Sequence, residues 1–224
     1  MDESNLFDAE ESGGRSLGWP IILGIVAALA IIGVLGYQLF SQRLTDESSP
    51  ADSGLTPAET ATAQEQFELG NTLYQAGQMD EAITAYQQAI KLDPTYQAAY
   101  ANLGVVYYQQ QQYDLAASQY EKALELAPDD GEVAYNLGVL YLQQALSQES
   151  TPDLLVKAVT QLQQARDMSP QLAEPHFSLG VAYMASGQNQ AAIEAFEIYL
   201  SLASNQDTRA KQEAEQYLQR LRGQ

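Results

Sequence analysis

A 34-residue period runs through most of this chain and constrains its fold more than any other feature. A Leu-Gly pair, a tyrosine, two alanines and a proline return at fixed spacing. The recurring positions are Gly70, Gly104 and Gly138; Ala82 and Ala116; Tyr86 and Tyr120; Ala89 and Ala123; Pro94 and Pro128. A unit of this length that repeats predicts a stacked architecture, in which each unit contacts only its neighbours.

Each unit has the pattern of two amphipathic helices. In the central unit, apolar and aromatic residues recur at three- and four-residue spacing on both sides of a glutamine-rich break. Pro128 and the acidic residues after it end the second helix. We expect Gly104 on the first helix to face Ala116 and Ala123 on the second, so that the two backbones approach closely. Such a hairpin leaves an apolar side that a neighbouring hairpin must cover.

The central unit resembles the tetratricopeptide repeat (TPR), whose pattern is a large residue, Leu-Gly, Tyr, Ala, an aromatic residue, Ala and Pro. The residues that carry the resemblance are Tyr100, Leu103, Gly104, Tyr107, Ala116, Tyr120, Ala123 and Pro128. The resemblance implies an all-α TPR superhelix that binds proteins and is not an enzyme. Together with an apolar N-terminal segment, the chain is similar to membrane-anchored bacterial or cyanobacterial members of the family.

The sequence predicts a single transmembrane helix followed by about four repeats and a capping helix. The predicted segments are an acidic disordered tail at 1–18, the transmembrane helix at 19–40, a flexible linker at 41–57, the repeat domain at 58–206 and the capping helix at 207–224. The repeats are assigned to residues 63–96, 97–130, 131–172 and 173–206.

The predicted membrane anchor is a run of 22 residues, 19–40, that contains no charged side chain. At about 1.5 Å per residue a helix of this length spans roughly 30 Å, the thickness of the hydrocarbon core of a bilayer. Its acidic start and long apolar run differ from a cleaved signal peptide. We therefore expect a single-pass protein of the bacterial cytoplasmic or the thylakoid membrane. Arg15 and Arg43 balance each other across the segment, so the side of the repeats stays open.

Repeat three carries eight extra residues around positions 145–151. They either lengthen its first helix by about a turn or form a protruding loop, and Pro152 then restarts the second helix. Such an insert marks either a contact face or tolerated loop growth. Repeat one has an alternative, earlier start, with Thr56 as the helix cap and Pro57 in the first turn.

No arrangement of catalytic residues is present, so we predict no enzyme activity, no cofactor and no metal. The chain has no cysteine, and its single histidine, His176, stands where the family packs a large residue. The acidic run 129–132 lacks the alternating oxygen ligands of an EF-hand loop. A formal charge of −19 excludes a nucleic-acid-binding surface as the main role. It indicates either a solvated acidic surface or one that attracts a basic partner.

In TPR proteins the first helix of each repeat lines a concave groove through its second, fifth, sixth, ninth, twelfth and thirteenth places. The resemblance therefore places a protein-binding groove at Phe67, Asn71, Tyr74, Ala101, Asn102, Val105, Tyr108, Tyr135, Asn136, Val139, Leu142, Phe177, Val181 and Met184. Aromatic and aliphatic side chains with amides and acidic flanks favour an amphipathic helix or an extended apolar segment, with basic residues at its ends.

Chaperone-binding members of the family grip a C-terminal carboxylate with a clamp of Lys, Arg and Asn side chains. This chain keeps Asn71 and Asn102 but has Phe67, Glu132 and Asn136 where the basic residues belong. We therefore predict no chaperone carboxylate clamp.

These features together predict a membrane-anchored TPR scaffold that binds a protein partner in its groove. The predicted role is assembly or quality control of membrane protein complexes, with their subunits as partners and the lipid bilayer contacted through residues 19–40. The alternative is a self-associating structural spacer at the membrane, whose groove a neighbouring copy fills.

Overall fold

Nine α-helices follow one another in the part of the chain that the computed structural model describes, which is residues 62–147, 152–204 and 207–223. They are α1 (Ala63–Gln75), α2 (Met79–Leu92), α3 (Gln97–Gln109), α4 (Tyr113–Leu126), α5 (Gly131–Ser147), α6 (Pro152–Met168), α7 (Ala173–Ala185), α8 (Asn189–Leu202) and α9 (Thr208–Arg222). The predicted all-α arrangement of paired helices is confirmed.

The helices form four hairpins that stack in chain order. Within the hairpins α1 packs on α2, α3 on α4, α5 on α6 and α7 on α8. Between them α2 packs on α3, α4 on α5 and α6 on α7, and α9 covers α8 at the end. One hydrophobic core therefore runs continuously from Phe67 to Leu221.

Close approach within each hairpin depends on a glycine of the first helix that receives a large side chain of the second. A Cβ atom added to Gly104 would stand 2.6 Å from a ring carbon of Tyr120. The same contact pairs Gly70 with Tyr86 and Gly180 with Phe196, while Gly138 receives Leu162. The nearest neighbour of Gly104 is thus the Tyr120 ring, which corrects the expectation that Gly104 faces two alanines.

The insert of repeat three lengthens both of its helices. Helices α5 and α6 have 17 residues each, whereas the other first helices have 13 and their partners have 14. The first of the two alternatives, an extra turn on the first helix, therefore holds, and α6 begins at Pro152 as predicted. Lys157 of α6 lies 5.2 Å from the centre of the Tyr141 ring of α5, which is a cation–π contact between the lengthened helices.

The two ends of the stack are closed by specific local interactions. Helix α1 is started by a capping box, in which the Thr62 hydroxyl accepts from the Glu65 N–H at 3.1 Å. The Glu65 carboxylate accepts in turn from the Thr62 N–H at 2.7 Å. The alternative, earlier start at 56–57 lies outside the described residues. At the other end, α9 buries a narrow apolar stripe made of Ala214, Tyr217, Leu218 and Leu221.

The predicted localisation as a single-pass membrane protein has to be corrected. Among the described residues, no helix is long and apolar enough to cross a bilayer. Those helices have 13 to 17 residues, or roughly 20–25 Å at 1.5 Å per residue. That length is short of the roughly 30 Å that a bilayer core requires. The segment that was assigned the span, 19–40, lies outside the described residues, as do the predicted tail and linker.

The glycine contact predicts the effect of one added methyl group. Gly104→Ala places a Cβ atom against the Tyr120 ring, and overpacking of this kind costs about 1–3 kcal/mol. Alanine gains at most about 1 kcal/mol over glycine within a helix, so we expect a net loss in the free energy of unfolding. Urea unfolding followed by circular dichroism measures it.

The matched control is the same substitution in a Tyr120→Ala background. Because the ring is then absent, Gly104→Ala should destabilise the protein less than it does beside Tyr120. An equal loss in both backgrounds would show that the ring is not the cause.

Candidate functional site

The first helices α1, α3, α5 and α7 carry the residues predicted to line the concave face. Asn71 and Asn102 connect the first two of these helices, because the Asn71 Oδ1 atom accepts from the Asn102 Nδ2 group at 2.8 Å. The same oxygen accepts from the Tyr86 hydroxyl at 2.8 Å. The two asparagines that a carboxylate clamp would use are therefore engaged with each other.

A second row of hydrogen bonds joins tyrosine in the twelfth place of one repeat to glutamine in the thirteenth place of the next. Gln109 donates through Nε2 to the Tyr74 hydroxyl, and the Tyr108 hydroxyl donates to Gln143 Oε1. Gln143 then donates through Nε2 to the Tyr113 hydroxyl at 2.8 Å. Polar side chains thus tie the first helices of repeats one, two and three together.

This polar pairing does not continue along the whole stack. In the register of the Asn71–Asn102 bond, repeats two and three offer Val105 with Asn136, and repeats three and four offer Val139 with Ser178. Valine has no acceptor, so the Ser178 hydroxyl loses the partner that its counterpart Asn102 has. In the register of the Tyr–Gln bonds, the last pair is Leu142 with Ala185, which is apolar.

Helices α5 and α7 are more deeply buried than α1 and α3. Each contains eight consecutive buried residues, 137–144 in α5 and 175–182 in α7. Eight residues make more than two turns, so these runs include the concave side of both helices. On α1 and α3 the equivalent ninth-place residues Asn71 and Val105 are only half-buried. The predicted groove positions are therefore more exposed in repeats one and two and more covered in repeats three and four.

Two hydroxyl groups lie buried in this covered region. Tyr135 and Ser178 are 9% and 0% exposed, and apart from each other neither hydroxyl has a hydrogen-bond partner in the described part of the chain. Burial raises the pKa of Tyr135, and a hydrogen bond with the Ser178 hydroxyl partly opposes that shift. A hydroxyl can form more than one hydrogen bond, so each keeps capacity for a further partner.

The predicted groove residues divide evenly by exposure. Seven are half-buried, namely Asn71, Tyr74, Ala101, Val105, Tyr108, Asn136 and Met184. Seven are buried, namely Phe67, Asn102, Tyr135, Val139, Leu142, Phe177 and Val181.

Two of the buried aromatic residues pack within the core at the ends of the stack. The Phe67 ring lies 5.1 Å from the Tyr96 ring, centre to centre, and the Phe177 ring lies 5.1 Å from the Tyr199 ring. Tyr217 of α9 also approaches Phe177, at 6.5 Å. These two positions stabilise the ends of the stack and offer little surface to a partner.

Ser178 occupies one of the groove places of repeat four, although it is not among the fourteen residues selected from the sequence. It stands in the sixth place, where repeats two and three have Asn102 and Asn136.

Carboxylates stand at the edge of the covered region. Glu132 and Glu174 occupy the first turns of α5 and α7, and both are exposed. Desolvation by the surrounding chain, with repulsion from Asp130, raises the pKa of Glu132 to about 7. Because water reaches this side chain and screens it, the charge of Glu132 varies near neutral pH at a small cost in stability.

His176 is buried and lies with its Nε2 atom 3.5 Å from the Pro170 carbonyl oxygen. Burial lowers the pKa of His176. Within the described residues, no group of three or more His, Cys, Asp and Glu side chains is placed to hold a metal ion.

Comparison with known proteins supports the repeat assignment directly. A family model described as TPR repeat matches residues 70–111. Models described as tetratricopeptide repeat match residues 98–130, 119–151 and 157–207. No curated protein shows significant similarity in sequence to this chain.

Solved structures with the same fold include several bacterial TPR proteins. MamA 41-end from Desulfovibrio magneticus RS-1 is 26% identical, with a TM-score of 0.56, and the match covers 65% of this chain and 77% of that one. The thermophilic TPR protein TTC0263 from Thermus thermophilus is 22% identical, with a TM-score of 0.53, over 71% of this chain and 80% of that one.

A further similar structure is the first TPR of Spaghetti (RPAP3) bound to the HSP90 peptide SRMEEVD. It is 20% identical with a TM-score of 0.51, and the match covers 56% of this chain and 93% of that one. At this identity the likeness shows the fold alone. With the four family matches, these structures lead to one conclusion: the chain belongs to the tetratricopeptide repeat family and is a protein-interaction scaffold of TPR type.

Proposed function

We propose that this protein binds a polypeptide segment on the concave face of its third and fourth repeats. The observation that carries the proposal is the buried pair of hydroxyls of Tyr135 and Ser178, which have no partner beyond each other in the described part of the chain. They lie on helices whose other concave positions, Val139 and Val181, are apolar. This is the composition of a peptide-binding surface, in which a few polar groups orient a ligand that apolar contacts hold.

The chemistry of this surface defines the partner. Tyr135 and Ser178 can each donate a hydrogen bond to a backbone carbonyl or accept one from an N–H group. The half-buried Met184 supplies apolar contact beside the buried Val139 and Val181, which suits one face of an amphipathic helix or an extended apolar segment. Glu132 and Glu174 at the edge favour basic residues at the ends of that segment.

The first half of the concave face contributes less to binding in this proposal. Asn71, Asn102, Tyr74 and Tyr108 already bond to side chains of neighbouring repeats. A ligand there would have to replace those bonds, so a partner gains less from contacting it. In our proposal the hydrogen bonds of this half keep the first helices of neighbouring repeats in register.

The proposed role is the assembly or quality control of protein complexes, in which an apolar segment of a subunit is held before it joins its complex. Acidic peptides that end in a carboxylate, like the one in the RPAP3 structure, are poor candidates. Phe67, Glu132 and Asn136 stand where a carboxylate clamp requires basic side chains, and Phe67 is buried. The alternative of a self-associating spacer stays a prediction that sedimentation of the full chain tests.

A displayed library of random peptides, panned against the full chain, provides defined probes for this proposal. We expect the enriched peptides to be apolar along one face and basic at one end. Met184→Lys should weaken their binding about tenfold or more, because burying an apolar side chain contributes about 1.5–3 kcal/mol. Isothermal titration calorimetry measures the affinities.

Two controls accompany that measurement. Ile198→Lys on α8, where the side chain is 43% exposed, introduces the same charge on the second helix of the hairpin and should leave the affinity unchanged. The peptide SRMEEVD is the acidic probe and should not bind. Equal losses for Met184→Lys and Ile198→Lys, or enrichment of acidic peptides alone, would contradict the proposal.

The raised pKa of Glu132 predicts that binding depends on pH. The carboxylate is ionised above about pH 7 and increasingly protonated below it. Affinity for a peptide with a basic end should therefore fall between pH 8 and pH 6, because the attracting charge is lost. Glu132→Gln should bind more weakly at pH 8 and show a flatter pH profile. If Glu132→Gln has the same affinity-against-pH profile as the unmodified protein, Glu132 is not part of the binding surface.

A further inference from the structure

Leu69, in the seventh place of repeat one, is the exposed counterpart of three buried leucines. It is 45% exposed, whereas Leu103, Leu137 and Leu179 in the seventh places of the later repeats are 1–2% exposed. In each later repeat the second helix of the preceding repeat packs on the first helix, as α2 packs on α3. No helix of the described chain precedes α1, so the equivalent side of α1 is open.

The eleventh place shows that this open side differs in chemistry from the junctions inside the stack. Each of the three junctions joins a tyrosine in the eleventh place to a Gln or Glu in the twenty-fifth place of the preceding repeat. The pairs are Tyr107 with Gln87, Tyr141 with Glu121 and Tyr183 with Gln163. Repeat one has Leu73 in this place, and leucine has no group that can form such a bond.

The fourteenth place shows the same change. Gln110 after α3 donates to Asp80 of α2 at 2.8 Å, and Gln144 of α5 donates to Asp114 of α4 at 3.4 Å. Repeat one has the exposed Ala76 in this place. A terminal repeat that faces water is expected to be polar on its outer side. The outer side of α1 is instead more apolar than the junctions between the repeats.

The other end of the stack has the cap that α1 lacks. Helix α9 turns its apolar stripe toward the core, and Arg222 of α9 donates to Glu197, which occupies the twenty-fifth place of repeat four. The exposed side of α9 is polar, as at Gln212, Gln216 and Gln219. In the described part of the chain, only the first repeat therefore leaves an apolar junction surface uncovered.

The charges of repeat one determine which occupant suits this surface. Residues 63–96 contain five acidic side chains and one basic side chain, and α1 contains Glu65 and Glu68 but no Lys or Arg. Two copies joined through α1 would bring these like charges together. A copy joined through α9 would place Leu69 and Leu73 on a polar helix side. The surface therefore suits a different chain that is apolar on one side and basic.

We propose that the open side of α1 binds an amphipathic helix of another protein, which packs on α1 as α2 packs on α3. This helix offers apolar side chains to Leu69, Leu73 and Ala76, where the internal junctions use hydrogen bonds at two of the three places. The site is separate from the concave face, so the inference goes beyond the proposed function and does not rest on it.

The orientation of α2 places the basic residues of the partner. Asp80 lies at the start of α2 and bonds to Gln110 at the end of α3, so the two helices run in opposite directions. A helix that packs on α1 in the same way brings its C-terminal end to Glu65, at the start of α1. Lys or Arg side chains at that end attract Glu65 and Glu68 and also complement the helix dipole.

A fluorescent peptide based on α2 provides a defined probe for the full chain. It has the sequence of residues 78–92 with Asp80→Ala and Gln87→Leu, followed by two lysines. The control peptide keeps Asp80 and Gln87, whose polar groups find no partner on Leu73 and Ala76. Fluorescence anisotropy should show that the probe binds about tenfold more tightly than the control peptide.

Leu69→Lys in the full chain should weaken binding of the probe about tenfold, because it removes apolar contact and repels the lysines of the probe. The matched control is Leu115→Lys on α4, since Leu115 is 46% exposed, and it should leave the affinity unchanged. Both leucines are partly exposed, and circular dichroism confirms that each variant is folded. Equal affinities for the two peptides, or equal losses in the two variants, would overturn the inference.

Other occupants of the surface give different results. If the unmodified protein does not bind the probe, the inference is wrong, because the surface is then covered by another copy or by the chain itself. Sedimentation identifies the first case, in which the unmodified protein is a dimer and Leu69→Lys is a monomer.

The inference and the proposed function fail separately. Met184→Lys should leave the affinity for the α2-based probe unchanged, and Leu69→Lys should leave the affinity for the panned peptides unchanged. If Met184→Lys weakens binding of the probe as much as Leu69→Lys does, the open side of α1 is not a separate site and the inference is wrong.

Discussion

The contact between a glycine of the first helix and a large side chain of the second is the interaction on which the rest of the structure depends. Gly104 lets the Tyr120 ring lie directly on the helix backbone, and Gly70 and Gly180 do the same for their partners. The ring fixes both the spacing and the rotation of the two helices. Because the contact recurs in each hairpin, the hairpins stack in one orientation and their first helices line one face.

The polarity of that face changes along the stack, and we propose different roles for its two halves. In repeats one and two, amides and tyrosine hydroxyls pair between neighbouring first helices, as at Asn71 and Asn102. In repeats three and four the same register holds Val139 and Ser178, which cannot form that bond. The first half therefore satisfies its own hydrogen bonds. In the second half Tyr135 and Ser178 have only each other, and in our proposal a bound polypeptide supplies their further partners.

The sequence predicts the helix pairs and the repeat register because both follow from a periodicity that recurs in each repeat. It does not predict that Gly104 contacts Tyr120, because a period assigns residues to a helix face but does not determine the direction in which a side chain points. Phe67 and Phe177 match groove places but pack into the two ends of the core, where neighbouring rings are available. Ser178 stands at a groove place of its repeat, but only the structure shows its contact with Tyr135. The membrane assignment came from the length and apolar character of one segment and receives no support from the described helices.

The central claim is that a polypeptide partner binds the concave face of repeats three and four. Methyl NMR of the full chain measures this contact most directly. We predict that a panned peptide with one apolar face and a basic end shifts the methyl signal of Met184 and leaves those of Leu140 in the core and Ile198 on α8 unchanged. Equal shifts at Met184 and Ile198, or no shift at Met184, would contradict the account.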